Sequence, residues 1–195
     1  AYGSSKSFAG MRANAAKLLL DPYAHVIDGQ LSYVPEIYGH VASDGLGTGD
    51  LTLRDDRDSA RYVPLSVVTE FSPRHVDRPL TSWAKTIIYE AHVQGLTAKN
   101  LEIPENERGT YKGLGHPSTI AHLKSIGVTA LELLPIHTYM SEPALWDRGR
   151  KNHWGYNPIA FSAPHSEYAA TDNPVTELQW AVDRLHDCLL YTSPS

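Results

Sequence analysis

Residues 118–136, STIAHLKSIGVTALELLPI, carry the reading that decides the fold. The stretch is two elements joined at a glycine. Ser118 can cap a helix by accepting a backbone N–H, since the first helical amides have no partner inside the helix. Ile120, Leu123 and Ile126 recur on one helical face, and Gly127 is the residue type that stops a helix. Residues 128–136, VTALELLPI, then form a nearly continuous apolar run bounded by Pro135. A strand apolar on both sides is buried on both sides, as in parallel sheets covered by helices.

The pattern extends in both directions. Upstream, KTIIYEAHV (85–93) is a compact β-branched and aromatic run, a second buried strand. A long connection follows it, with NERGTYKGLGHP near its end. Strand, helix, strand is a βαβ unit and predicts a parallel pair. Downstream, Pro174 suits the first position of a helix over 174–186. There Leu178, Ala181, Val182 and Leu185 follow helical spacing. The order from residue 85 is β-α-β-loop-α. This predicts an α/β fold, the beginning of an incomplete (β/α)8 TIM barrel. A closed barrel takes about 250 residues, so the chain supplies at most its first quarter or third.

Residues 1–80 read differently. NAAKLLLDPYAHVI (14–27) offers a short helical run ended at Asp21-Pro22, with Leu18, Leu19 and Leu20 as core anchors. Residues 42–64, rich in Gly and Asp, read as loop. LSVVTEF (65–71) is a short strand candidate.

Composition narrows the function classes. Hydrophobic residues make up 42% and charged residues 20% of the 195, an ordinary soluble balance. Net charge is -5 and Lys/Arg form no run, which argues against nucleic acid as a partner. No apolar stretch approaches the roughly 20 residues of a membrane helix. No signal peptide opens the chain, and a start at Ala reads as a missing true N-terminus. The single cysteine, Cys188, fits a reducing compartment and offers no argument for a nucleophile.

Chemistry is expected at the C-terminal ends of the strands and in the loops after them. The connection from His137 to Asn173 is far longer than the usual two to six residues or so. It contains Trp146, His153, Trp154, Tyr156, Phe161 and Tyr168. Aromatic faces in a cleft suit sugar rings, whose C–H face lies flat on a π-system. Asn152, His153, Asn157 and Asp147 are candidate partners for the hydroxyls. Equally, the aromatics can pack the loop onto the sheet, and the residues alone favour that. Glu90 and Glu132 sit on the two strands, where a structural hydrogen-bond network is the ordinary role of a carboxylate. His92, His137 and His153 are too scattered for a metal motif, and GLGTGD (45–50) lacks the Lys-Ser/Thr of a phosphate loop. No cofactor is expected.

Taken together, TIIYEAHVQGLT (86–97), IPENERGTYKGLGHPSTIAHLKSIGVTALELLPIH (103–137) and HWGYNPIAFSAPHSEYA (153–169) resemble the α-amylase superfamily, glycoside hydrolase family 13. The likeness is narrower to its bacterial glycogen debranching enzymes of the isoamylase type. NAAKLLLDPYAHVI, SARYVPLSVV (59–68) and DRPLTSWAKTIIYE (77–90) are similar to the linker after their N-terminal β-sandwich carbohydrate-binding-type module. The resemblance implies three parts. Residues 1–80 are the end of that module plus linker, and 81–187 the first βα units of the catalytic barrel. Residues 188–195, CLLYTSPS, depart from the family's third strand and read as a non-native tail.

The resemblance also implies a cytoplasmic retaining hydrolase of α-1,6 linkages, with glycogen or another branched α-glucan as partner and no membrane. It places the catalytic carboxylates on the fourth, fifth and seventh strands, so no catalytic residue is expected here and the fragment is expected to be inactive. Tyr156 maps onto the tyrosine that stacks on the sugar, with Trp154 and Asn157 beside it in the motif. Phe161, and to a degree Trp154, fall nearer to packing. A branching enzyme, a trehalose-releasing hydrolase or a non-catalytic glucan-binding protein are the rival readings.

Overall fold

The computed structural model describes residues 13–70, 76–188 and 190–194. Its centre is a three-stranded parallel sheet. Strand β5 (Ile88–Ala91) pairs with β6 (Ala130–Leu133), and β6 with β9 (Tyr191–Pro194). Helix α3 (Pro117–Ser125) connects the first two strands and α5 (Pro174–Asp187) leads into the third. The βαβ arrangement expected from the sequence is present.

Alternation along the strands sorts the two faces of the sheet. Leu131 and Leu133 are buried with Ala91, Leu123, Ala181 and Leu185 in one core beneath the helices. The opposite face carries Ile88, Glu90 and Glu132. Ile88 is 53% exposed there, so burial on both faces is not reached. Three strands leave the inner face of a barrel uncovered, because its filling comes from the other strands.

The helix ends obey local chemistry with one correction. His116, not Ser118, caps α3: its Nδ1 accepts the Ser118 N–H at 3.2 Å. Pro117 takes the first helical position, where a missing N–H is harmless, and this moves the cap upstream. Ser118 Oγ instead accepts from Asn100 Nδ2 at 3.0 Å. Gly127, at φ +80°, ends the helix as expected. Ile126 lies past the last helical turn and is 49% exposed rather than core. In α5 the Asn173 side chain accepts the Thr176 N–H at 3.0 Å.

The connection after β5 contains short helices α1 (Val93–Thr97) and α2 (Tyr111–Leu114). The connection after β6 is ordered by strands β7 (His137–Tyr139) and β8 (Pro158–Pro164), paired antiparallel, and by helix α4 (Pro143–Trp146). Tyr191–Pro194, within the segment expected as a non-native tail, adds a third parallel strand beside β6. Ladder bonds come from backbone groups, so a departure from the family's side-chain pattern does not prevent pairing.

Before the sheet, the chain forms two small antiparallel ladders. One joins β1 (Ile27–Asp28) to β4 (Leu65–Ser66), the other β2 (His40–Ala42) to β3 (Gly49–Arg54). The segment 42–64, expected as loop, therefore contributes a hairpin. The 65–71 candidate is a strand only at Leu65–Ser66, and Phe71 lies outside the described residues. Within 14–27, turns and bends lead to Ile27 at the start of β1 and no helix forms, and Leu18 and Leu19 are 42% and 83% exposed. Without helical periodicity three consecutive leucines cannot share one buried face. The segment is anchored by polar groups instead. Buried Asp55 accepts from Arg57 Nε and Nη2 and lies 3.6 Å from Lys17 Nζ. Hydrogen bonds from Arg57 hold its carboxyl down at about 2.

Leu131, fully buried at the centre of the sheet, sets the cohesion of this core. Leu131→Ala is expected to lower unfolding stability by about 2–5 kcal/mol in urea titration. Leu80→Ala, at a site 99% exposed, should change it by less than about 0.5 kcal/mol.

Candidate functional site

The turn at residues 152–157 lies over the C-terminal ends of β5 and β6. Its shape is set by Asn152, whose Oδ1 accepts the N–H groups of Trp154 and Gly155, both at 3.0 Å. The Asn152 Nδ2 donates to Glu142 Oε1 at 3.1 Å and its backbone N–H to Ser141 Oγ at 2.9 Å. Gly155 sits at φ +78°, and a Cβ there would lie 3.2 Å from Pro135 O and from Tyr139 Cδ1. Both conformation and space therefore demand glycine. Pro135 follows β6, so the turn is pressed against that strand's end.

His92 ties the turn to the other strand. Its Nδ1 accepts the N–H groups of Gln94 and Gly95, capping α1. Nδ1 thus carries no proton, and Nε2–H donates to the His153 carbonyl at 2.7 Å. The His92 and His153 rings stack at 4.2 Å, and the Trp154 ring stands edge-on to His153 at 5.2 Å. Burial lowers the His92 pKa below the ordinary imidazole value, which keeps this tautomer neutral.

A buried aromatic layer supports the arrangement. Tyr168 Oη lies 3.1 Å from His92 Nε2, and its hydroxyl donates to Tyr139 Oη at 3.3 Å. Tyr111 donates to the His165 carbonyl at 3.2 Å. His165 stacks on Tyr139 at 3.9 Å, and neither of its ring nitrogens has a partner among the described residues. Burial pushes its pKa down to about 4.

On this base the turn lifts its aromatics outward. Tyr156 is 65% exposed and Trp154 57%. Asn157 is half-buried, and its carbonyl accepts the Met140 N–H at 3.1 Å. The three sequence-predicted residues are thus brought together, two displayed and one partly built into the backbone ladder. Phe161, expected to pack, is 63% exposed and only leans on His137. Tyr168 is the packing aromatic of the group. Asn152, a candidate for holding hydroxyls, spends its amide oxygen on the turn. Asp147 is exposed at the end of α4.

Glu90 and Glu132 are register partners on adjacent strands. Neither makes a hydrogen bond or ion pair among the described residues, so the expected structural network is absent. The uncovered inner face offers them no donor. No group of three metal-ligating side chains occurs among the described residues. His92, His165 and Tyr139 were not singled out from sequence as supports. The available signal was His92 itself, placed where a cap precedes Gln94-Gly95.

The two lowered histidines give a signed pH dependence. The unfolded chain takes up a proton at His165 near pH 6.5, the native chain only near pH 4. Stability is therefore full above the unfolded value and falls as pH drops through this window, by up to roughly 3 kcal/mol. Denaturant titrations across this range should show the decline, and His165→Phe should flatten most of it. Asp55 contributes a separate loss, beginning only as pH falls through the ordinary carboxylate value near 3.8.

Comparisons with known proteins bear on this geometry. The chain is 43% identical over 179 residues to the glycogen operon protein GlgX homolog of Haemophilus influenzae, covering 91% of this chain and 26% of the relative. It is 44% identical over 191 residues to a glycogen debranching enzyme of Salmonella paratyphi B, covering 95% and 27%. The chain thus spans about a quarter of the length of the curated relatives it matches. Among solved structures, the catalytic module of the glycogen-degrading pneumococcal virulence factor SpuA aligns with TM-score 0.62 at 18% identity, over 91% of this chain and 25% of that one. A pullulanase from Anoxybacillus sp. complexed with maltotetraose aligns with TM-score 0.54 at 21% identity, over 92% and 24%. These two show the fold alone. No protein-family model matches. At this identity over nine-tenths of its length, the chain is a homologue of bacterial glycogen debranching enzymes.

Proposed function

We propose that this chain is the opening part of the catalytic barrel of a glycogen debranching enzyme of the α-amylase superfamily, with the end of a β-sandwich module and its linker before it. The parent enzyme hydrolyses α-1,6 branch linkages of glycogen or a related glucan in the cytoplasm, with retention. The observation that carries the reading is Tyr156, displayed on a turn clamped over the C-terminal ends of two parallel strands. Homology to proteins named for glycogen debranching supplies the substrate class.

In this reading the Tyr156 ring is the platform for the glucosyl unit at the cleaved bond. Its π-face supports the sugar's apolar C–H face and the positive charge that develops on the ring. Trp154 and Asn157 shape the same wall. Retaining hydrolysis needs an acid and a nucleophile about 5 Å apart. The resemblance puts those carboxylates on later strands, so the 195-residue chain holds the platform without the cutting groups. Residues 188–195 remain, in this proposal, a non-native ending, of which Tyr191–Pro194 pairs as a strand.

The test has two arms. The enzyme encoded by the extended reading frame is expected to release linear chains from amylopectin and deepen iodine staining. Its Tyr156→Ala variant is expected to lose about 10–100-fold in kcat/KM, and Tyr156→Phe far less. Branched products or free trehalose would favour the rival enzymes, and a frame without the carboxylates a binding protein. Reducing-sugar release by the present chain alone would contradict the division of parts.

A further inference from the structure

The turn that carries Tyr156 is gripped at both ends by residues 140–142. At its end, the Met140 N–H donates to the Asn157 carbonyl at 3.1 Å. At its start, Ser141 Oγ accepts the Asn152 N–H at 2.9 Å, and Glu142 Oε1 accepts from Asn152 Nδ2 at 3.1 Å. This bracket is separate from the His92 tie, which acts at the His153 carbonyl.

The bracket is in turn held by the N-terminal part of the chain. The Tyr33 hydroxyl donates to the Ser141 carbonyl, joining residues 108 apart in sequence. The buried Tyr33 ring packs on Trp146 of α4 with centroids 5.1 Å apart. The Trp146 N–H returns to the Glu142 carbonyl at 3.1 Å, so this contact steadies the end of the bracket as well. Tyr33 is seated from its own side too. The neighbouring Ser32 N–H donates to the Tyr62 carbonyl at 2.8 Å. In the β2–β3 connection, a Cβ on Gly45 would overlap the Tyr33 carbonyl and lie 3.3 Å from Trp146 Cζ3. The Gly45 carbonyl accepts from Tyr38 Oη at 2.6 Å, which holds the glycine in that seat. Phenylalanine would pack on Trp146 as well as tyrosine does. The hydroxyl adds the bond to the bracket.

We propose that Tyr33 is a positioning residue for the Tyr156 platform, through which the N-terminal ladders set the turn by way of residues 140–142. The inference rests on the reading of Tyr156 as the sugar platform and adds what orients it. A loop ordered before its ligand arrives binds more tightly, because ordering at the moment of binding costs affinity. The ladders thereby take part in recognition without touching the sugar.

Fluorotryptophan labelling of the full chain gives a fluorine NMR spectrum of four tryptophans. Titration with maltoheptaose is expected to move the Trp154 resonance, beside Tyr156. Tyr33→Phe keeps the ring on Trp146 and removes the hydroxyl. It is expected to weaken the apparent affinity read at Trp154 by about 3–10-fold. Ser141→Ala removes the hydroxyl that holds Asn152 and is expected to act similarly. Because the two lie on one relay, the double variant should lose no more than the larger single loss. Ser59→Ala removes a buried hydroxyl that accepts the Leu18 N–H at 2.8 Å, within the N-terminal part and away from the bracket. It is expected to leave the response as it is. An unweakened response in Tyr33→Phe, with the response lost in Tyr156→Ala, overturns this inference and leaves the platform reading standing. Equal losses in Tyr33→Phe and Ser59→Ala reduce Tyr33 to general support and overturn it too, as does a double variant in which the two losses multiply. No Trp154 movement in the unaltered chain, or movement that persists in Tyr156→Ala, removes the platform reading and this inference together.

Discussion

The His92 imidazole is the constraint on which the displayed turn depends. One ring nitrogen ends the first strand by capping α1, and the other holds the His153 carbonyl. A neutral ring is the one state that does both, because Nδ1 must accept while Nε2 donates. Tyr168 and the stacked His153 ring cover it, and burial keeps it neutral. Asn152 and Gly155 then convert this anchorage into a defined bend. The backbone of the turn is thereby held at the strand ends while the Tyr156 ring stays exposed. In the proposed role such a held backbone leaves less ordering to be done when a sugar binds.

The sheet and the turn differ in how they are completed. The helix-covered side of β5 and β6 is packed within this chain, with Leu131 and Leu123 inaccessible to solvent. The other side keeps Glu90, Glu132 and Ile88 outside that core. A barrel interior is filled by layers drawn from alternate strands, so three strands cannot close it. The turn needs only the first two strand ends and the layer beneath. On the proposed reading, the platform is thus built in a part of the fold that does not hold the cutting groups.

Much of the fold was legible because it follows from periodicity and punctuation. The apolar runs around Ile88 and Leu131, the helical spacing from Leu178 to Leu185, and Gly127 as a stop all correspond to observed elements. The errors arose where long-range contacts decide. Ser118 is a good cap by type, but Pro117 shifted the helix start and His116 took the role. The leucines at 18–20 were apolar enough for a core, yet their segment is held by Asp55, Lys17 and Arg57, which no local pattern reveals. The site was legible only through its motif. Tyr156 and Trp154 are exposed, the latter against the packing role expected of it, and the supports His92, Tyr168 and His165 come from distant segments. Their pairing has no period in the chain, and Phe161, expected to pack, is exposed.

The account stands most directly on contact between the Tyr156 ring and a sugar. Nuclear Overhauser measurements on the chain with bound maltoheptaose would report it at atomic resolution. The account predicts cross-peaks between the Tyr156 ring protons and the C–H protons on one face of a glucosyl unit. Bound maltoheptaose with no such cross-peaks would contradict it.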